Sequence, residues 1–192
     1  MANVFFFGAS ERRLFGVYDA PAKGKRKGVV LCNPLGAEYY FAHQSLHYLG
    51  QLLADEGTHV MRFDWFGCGD SAGAEPGDDA SRLEDLDWAI DELKDTAGVR
   101  KVDLVGLRAG AGPALAAAKR KDVSRIVLWD PVAPVTTTNE KQLLVCHEDD
   151  ASRHGDNTDH AYAGPRAWNG DGDFGSAGMP VNALRAITEW LT

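Results

Sequence analysis

The stretch VDLVGLRAGAGPALAAA, from Val102 to Ala118, constrains the fold more tightly than any other part of the chain. Apolar residues with the β-branched Val102 and Val105 read as a buried strand. Gly106 and Gly110 bracket a turn, and small residues there suit a sharp passage from strand to helix. The Ala-rich run that follows reads as that helix. Pro113 falls in its first turn, where a missing N–H costs little. Lys119, Arg120 and Lys121 close it, where positive charge suits the negative end of the helix dipole.

The alternation recurs along the chain. GVVLCNP, from Gly28, reads as a buried strand ending at Pro34. Phe41 to Gly57 reads as a helix with Leu46, Leu49, Leu52 and Leu53 on one face. THVMRFDW, SRIVLWDP and KQLLVCH read as further strands. In SRLEDLDWAIDELKDTAG, Ser81 and Glu84 have capping-box spacing, and Leu83, Leu86, Ile90, Leu93 and Ala97 form a helical stripe. PVNALRAITEWL reads as a closing helix. At the front, NVFFFG and RLFGVYDAP read as an N-terminal antiparallel ribbon. Strand alternating with helix implies an α/β fold, a mostly parallel sheet with helices on both faces. A length of 192 residues suits a single domain over 1–192.

A formal net charge of −8 argues against nucleic acid and against an anionic membrane surface as partners. The basic run KGKRK, Lys23 to Lys27, lies between two predicted strands and reads as a solvated turn. Cys32, Cys68 and Cys146 fit neither a disulfide framework nor a zinc knuckle, so a cytoplasmic location is expected. No stretch has the length of a membrane span, and MANVFFFGASERR lacks the features of a signal peptide. No Gly-rich phosphate fingerprint follows a strand, so no cofactor is expected. NGDGDFG sets Asn169, Asp171 and Asp173 at alternate positions, like the opening of a calcium loop. Its glycine comes one place late and its twelfth position is Pro180, so a Gly/Asp loop is the better reading. His154, Asp156, Asp159 and His160 match no standard ligand spacing, and no metal is expected.

In open parallel sheets the site lies outside the carboxyl ends of the strands. The motifs at those ends, in their order, resemble the α/β-hydrolase superfamily. LCNPLGAEYY stands where the family has its oxyanion loop. FDWFGCGDSAG resembles its Asp-x-x-Gly-x-Gly-x-Ser turn, through Asp64, Gly67, Gly69 and Ser71. GLRAG stands at its nucleophile elbow, LLVCHEDDA where it carries the triad's acid, and ITEWL in its closing helix. An arginine in this elbow is also similar to serine-aminopeptidase-like and exosortase-associated hydrolase-like proteins. The resemblance implies an α/β-hydrolase fold and hydrolysis of small esters, thioesters or amides.

The chain departs from that family in three places. The elbow, Gly-x-Ser-x-Gly in active members, has Arg108 at its centre, and a guanidinium that stays protonated has no lone pair for attack. The link from Asp130 to Lys141 is near the minimum for a parallel crossover, so no cap domain is expected, and a helix is expected to be missing with it. The candidate histidines, His154 and His160, come early for the loop that carries the family's base.

Asp150 and His160 therefore stand as vestigial triad positions, with Asp149 and His154 as alternatives. A solvated acidic turn at Glu148 to Asp150 and a surface His160 are the plainer readings. Cys32 and Cys68 read as buried small hydrophobes and not as nucleophiles, and Ser71 has no evident base. Arg108 has two readings. It pairs internally with Glu38, Asp64, Asp130 or Asp150, or it joins Leu35 of the oxyanion loop and Ala109 at the helix N-terminus to bind an anion. Two functions follow: a non-catalytic protein whose cleft takes a small anionic molecule or a protein partner, or an active hydrolase using another nucleophile or an activated water. A cleft without a cap leaves an apolar patch that favours a protein partner or a dimer.

Overall fold

Apolar runs of alternating length divide the chain into strands and helices that share one sheet. The computed structural model describes residues 2–24, 27–135, 139–169 and 178–192. Its eight strands are β1 (Ala2–Phe7), β2 (Leu14–Asp19), β3 (Gly28–Cys32), β4 (His59–Phe63), β5 (Val102–Leu107), β6 (Val123–Trp129), β7 (Gln142–His147) and β8 (His160–Tyr162). They lie in the order β1-β2-β4-β3-β5-β6-β7-β8. β1 is antiparallel to β2 and β2 to β4, and the remaining pairs are parallel. Cys32, Gly106 and Leu128 are level across β3, β5 and β6, so these strands finish together at one edge.

The central strands are buried along their whole length, because helices cover both faces. One face carries Val30, Met61, Leu104 and Leu128 beneath α2 (Asp79–Ala97) and α3 (Ala111–Ala117). The other carries Leu31, Val105, Val127 and Val145 beneath α1 (Ala37–Asp55) and α5 (Val181–Leu191). Among the described residues no helix is long and apolar enough to cross a membrane.

Local signals misplace several boundaries. α1 begins at Ala37 and not Phe41, directly after Gly36, which brings Glu38 into its first turn. α2 begins at Asp79. Its cap is Asp78, whose carboxylate accepts from the Ser81 N–H at 2.9 Å, so Ser81 is a recipient of the cap and not the cap itself. α3 stops at Ala117, short of Lys119 to Lys121. Arg120 instead folds back onto Asp87, Asp91 and Asp122. The stretch expected to be a loop after β7 holds a helical turn, α4 (Glu148–Ala151), a 3-10 turn (Ser152–Asn157) and β8.

Between β6 and β7 the described residues contain no helix. Val135 covers this part of the core and is held by the later 3-10 turn. Its N–H donates to His154 Nδ1 at 3.0 Å, and Asn157 Nδ2 donates to its carbonyl at 3.3 Å. His154 is 3% exposed and burial lowers its pKa, as the neutral acceptor requires. Lys25 and Arg26 of the basic run lie outside the described residues. Lys27 donates to the Leu191 carbonyl at the end of α5.

The passage from β5 into α3 rests on backbone contact. A Cβ at Gly110 would lie 2.3 Å from the Cys32 carbonyl oxygen, whereas one at Gly112 would meet nothing within 4 Å. Gly110→Ala is expected to cost about 3 kcal/mol, because both sides of the clash are main chain. Gly112→Ala, inside α3, is expected to stabilise by up to about 1 kcal/mol. Urea unfolding of the two variants checks the opposite signs.

Candidate functional site

The site begins with two glycines. A Cβ at Gly106 would lie 2.5 Å from the Gly110 carbonyl and from the Ala111 Cα, so strand and helix touch through bare backbone. Between them Arg108 takes φ 54°, in the left-handed region that costs a side-chain-bearing residue about 1 kcal/mol. Asp130, just past β6, is also left-handed, at φ 44°. Both residues thus leave neighbouring strand ends in strained turns at the carboxyl edge of the sheet.

The Arg108 side chain is only 12% exposed and is held on three sides. Its Nε and Nη2 donate to Glu38 Oε1 at 3.1 and 2.9 Å. Its Nη1 donates to the Asp130 carbonyl at 3.0 Å. Its guanidinium carbon lies 3.8 Å from the centre of the Trp168 ring, within range of a cation–π contact. Of the four carboxylates considered for Arg108, Glu38 is the one that pairs with it. Asp64 is turned to Tyr39 and the Asp70 N–H, and Asp150 to Arg166 and Arg153.

Asp130 is the second centre. Its carboxylate is buried and takes three donors from three parts of the chain. His147 N–H donates at 2.7 Å, Trp168 Nε1 at 2.9 Å, and the Tyr162 hydroxyl also donates. Trp168 therefore bridges the two strained residues, bonding Asp130 through its indole N–H and facing Arg108 with its ring.

The sequence-expected residues are spread more widely. Asp150 lies in α4, tied to Arg166 at 3.2 Å and to Arg153 at 3.7 Å. Asp149 shares Arg166. His160 opens β8, three strands from β5, a separation of about 14 Å at ordinary strand spacing. It lines a shallow depression with Arg185 and Glu189 of α5. No hydrogen bond or ion pair joins it to Asp150 or Arg108 among the described residues. Leu35 packs against the core beside α2, and Ala109 borders a groove next to Arg108. α3 has only seven residues, so the dipole behind Ala109 is small.

Other nucleophiles are quiet. Burial pushes the Cys32 and Cys68 thiols up and Cys146 up to about 12, so each stays protonated at neutral pH. Ser71 Oγ donates to the Asp64 carbonyl and accepts the Phe15 N–H. Among the described residues no three His, Cys, Asp or Glu side chains gather to hold a metal. Asp171 and Asp173 of the calcium-like pattern lie outside those residues.

The groove beside Arg108 has a volume of about 340 Å³. Ala109, Leu115, Leu128, Val132 and Val135 give it mainly apolar walls, and Asp79, Arg82 and Arg108 are the charged residues that line it. Arg82 donates to Asp79 and to the Gly77 carbonyl, but its buried Nε has no partner among the described residues. Sequence reasoning missed both Arg82 and Trp168. The search in the loop before α5 was for histidine, and a lone tryptophan there carries no signal of its own.

A double-mutant cycle on Arg108 and Glu38 is expected to give a coupling of about 1 to 2 kcal/mol, between exposed and buried pairs. Arg108→Gly is expected to be about 1 kcal/mol less destabilising than Arg108→Ala, since glycine tolerates the left-handed turn. Equal losses in thermal unfolding would contradict the strain at this position.

The sequence profile described as the alpha/beta hydrolase family matches residues 29–191. A protein of unknown function from Agrobacterium tumefaciens superposes with a TM-score of 0.76 at 16% identity, over 98% of this chain and 94% of its own. A lidless a/b serine hydrolase from Xanthomonas campestris superposes at 0.69 and 15% identity, over 99% of this chain and 91% of its own. Against an Agrobacterium vitis protein described as a hydrolase, identity is 24% and the TM-score 0.51. That match covers 69% of this chain and spans only 53% of the other protein. No curated protein matches significantly. The matched profile spans the six strands β3 to β8 and the helices α1 to α5, leaving out β1 and β2, and the chain belongs to the alpha/beta hydrolase family.

Proposed function

We propose that this chain is a non-catalytic member of its family, and that the groove beside Arg108 binds a small amphiphilic anion. The observation that carries the reading is the linked arrangement of Arg108, Trp168 and Asp130. In a Ser-His-Asp triad the acid holds the base through one ring nitrogen, and the base faces the nucleophile. Here Asp130 accepts from the Trp168 ring nitrogen at 2.9 Å, and the ring faces residue 108 at 3.8 Å. The contacts follow the triad's order, but no member can serve its chemistry. Arginine has no lone pair to attack with, and indole N–H is a donor that cannot take up a proton.

Internal pairing with Glu38 means that Arg108 needs no ligand to neutralise it. The support for an anion comes from Arg82, which lines a mainly apolar groove together with Asp79 and Arg108 and whose buried Nε has no partner among the described residues. A carboxylate with a short hydrocarbon tail satisfies both features.

The parent protein is expected to hydrolyse p-nitrophenyl esters at the buffer rate and to escape labelling by a fluorophosphonate. Arg108→Ser alone is expected to stay at background, because Trp168 occupies the base's place. Arg108→Ser combined with Trp168→His is expected to gain ester hydrolysis above both single variants. A parent rate well above background would favour an active hydrolase with another nucleophile. In a companion measurement, decanoate is expected to raise the parent's melting temperature with the logarithm of its concentration, and Arg82→Ala to remove the shift. A decanoate response unchanged by Arg82→Ala would overturn the ligand assignment.

A further inference from the structure

A second cavity of about 340 Å³ opens at the opposite edge of the sheet, where β5, β6 and β7 begin. Lys101 precedes β5, Lys121 precedes β6 and Lys141 precedes β7, and all three line it. Arg120 and Arg125 line it as well. The contrast between these two sets is informative. Arg120 is engaged by Asp87, Asp91 and Asp122, and Arg125 by Asp103 and by the Trp190 and Leu191 carbonyls. The side-chain ammonium groups of the three lysines make no hydrogen bond or ion pair with the described residues, Lys141 bonding only through its main chain. In a chain of net charge −8, three cations without an ion-pair partner among the described residues line one concavity.

Cations at the surface are ordinarily satisfied by water, and lysines alone would not make a site. The independent observation is Gln142, the first residue of β7, which is 9% exposed and lines the same cavity. Its Oε1 accepts from Asn139 Nδ2 at 2.7 Å, but its buried Nε2 has no hydrogen-bond partner among the described residues. A buried amide left without an acceptor is costly. Its missing partner must be an acceptor, and the surrounding lysines specify a negatively charged one.

We propose that this cavity binds a small polyanion carrying phosphate-type oxygens, with Lys101, Lys121 and Lys141 neutralising its charge and Gln142 Nε2 donating to one of its oxygens. The size is at the lower end for ligand pockets, which favours a compact molecule with two linked anionic groups over a polymer. A duplex or long single strand would also meet the repulsion of the acidic remainder of the surface. This site shares no lining residue with the Arg108 groove and does not depend on its assignment.

Isothermal titration calorimetry with inorganic pyrophosphate at fixed ionic strength tests the proposal. A single saturable site with Kd below about 1 mM is expected. The double variant Lys121→Ala, Lys141→Ala is expected to raise Kd by about tenfold or more. Gln142→Glu keeps the side chain's shape and its acceptor for Asn139 but replaces the unpaired donor with a negative charge, and it is expected to weaken binding at least as much. Arg82→Ala should leave the pyrophosphate Kd unchanged, which separates this site from the groove. Absence of saturable binding, or a Kd indifferent to the lysine and Gln142 substitutions while the variants remain folded, would overturn the proposal. So would lysine-dependent binding of a single-stranded oligonucleotide without any binding of pyrophosphate.

Discussion

Gly110 is packed so closely on the ends of β3 that the carbonyl oxygens of Cys32 and Asn33 occupy the space of a side chain. This contact between main chains, with its counterpart at Gly106, fixes how β5 enters α3. It places the intervening residue in a left-handed turn and aims that residue's side chain along the carboxyl edge of the sheet. The position of Arg108 among Glu38, Asp130 and Trp168 follows from it. The turn itself specifies a direction in space and is indifferent to the chemistry pointed there.

The energetic question at the site is how a cation that is 12% exposed is tolerated. Desolvating a guanidinium opposes burial, and the left-handed backbone adds about 1 kcal/mol. Against these stand two charge-assisted bonds to one carboxylate oxygen, a bond to a carbonyl and a close aromatic face. Glu38 retains some access to water, so the cost of burying its charge is partial, and the pair falls short of the penalty of a fully buried one. Asp130 is more deeply buried and is compensated in another way, through three hydrogen bonds from neutral donors. A carboxylate satisfied by this number of donors needs no adjacent cation.

The architecture was legible in the sequence because its signals are local. β-Branched runs marked the central strands, GLRAG marked the turn, and the stripe from Leu83 to Ala97 marked α2. What escaped was set by tertiary contact. Arg120 was read as finishing a helix, but the carboxylates of α2 draw it away and α3 ends at Ala117. β8 has three residues, too few to show a period. At the site, Glu38 was one of four carboxylates considered for Arg108, and spacing alone could not choose among them. The start of α1 at Ala37, four residues before the expected boundary, is what brings Glu38 within reach. Trp168 could not be found from pattern, because its meaning lies in two partners, one 60 and one 38 residues away in sequence, joined to it only in the fold.

The cluster also restricts how this part of the chain can change over generations. Glu38 comes from α1, Asp130 from the end of β6 and Trp168 from the loop before α5, yet each completes another's bonding. Replacing Arg108 leaves Glu38 without its counter-ion. Replacing Trp168 takes a donor from Asp130 and uncovers the guanidinium. Single substitutions each strand a partner, so their effects are not additive. Drift at these four positions is therefore correlated, with intermediates less stable than either end point, and a sequence that has entered this arrangement leaves it only by concerted replacement.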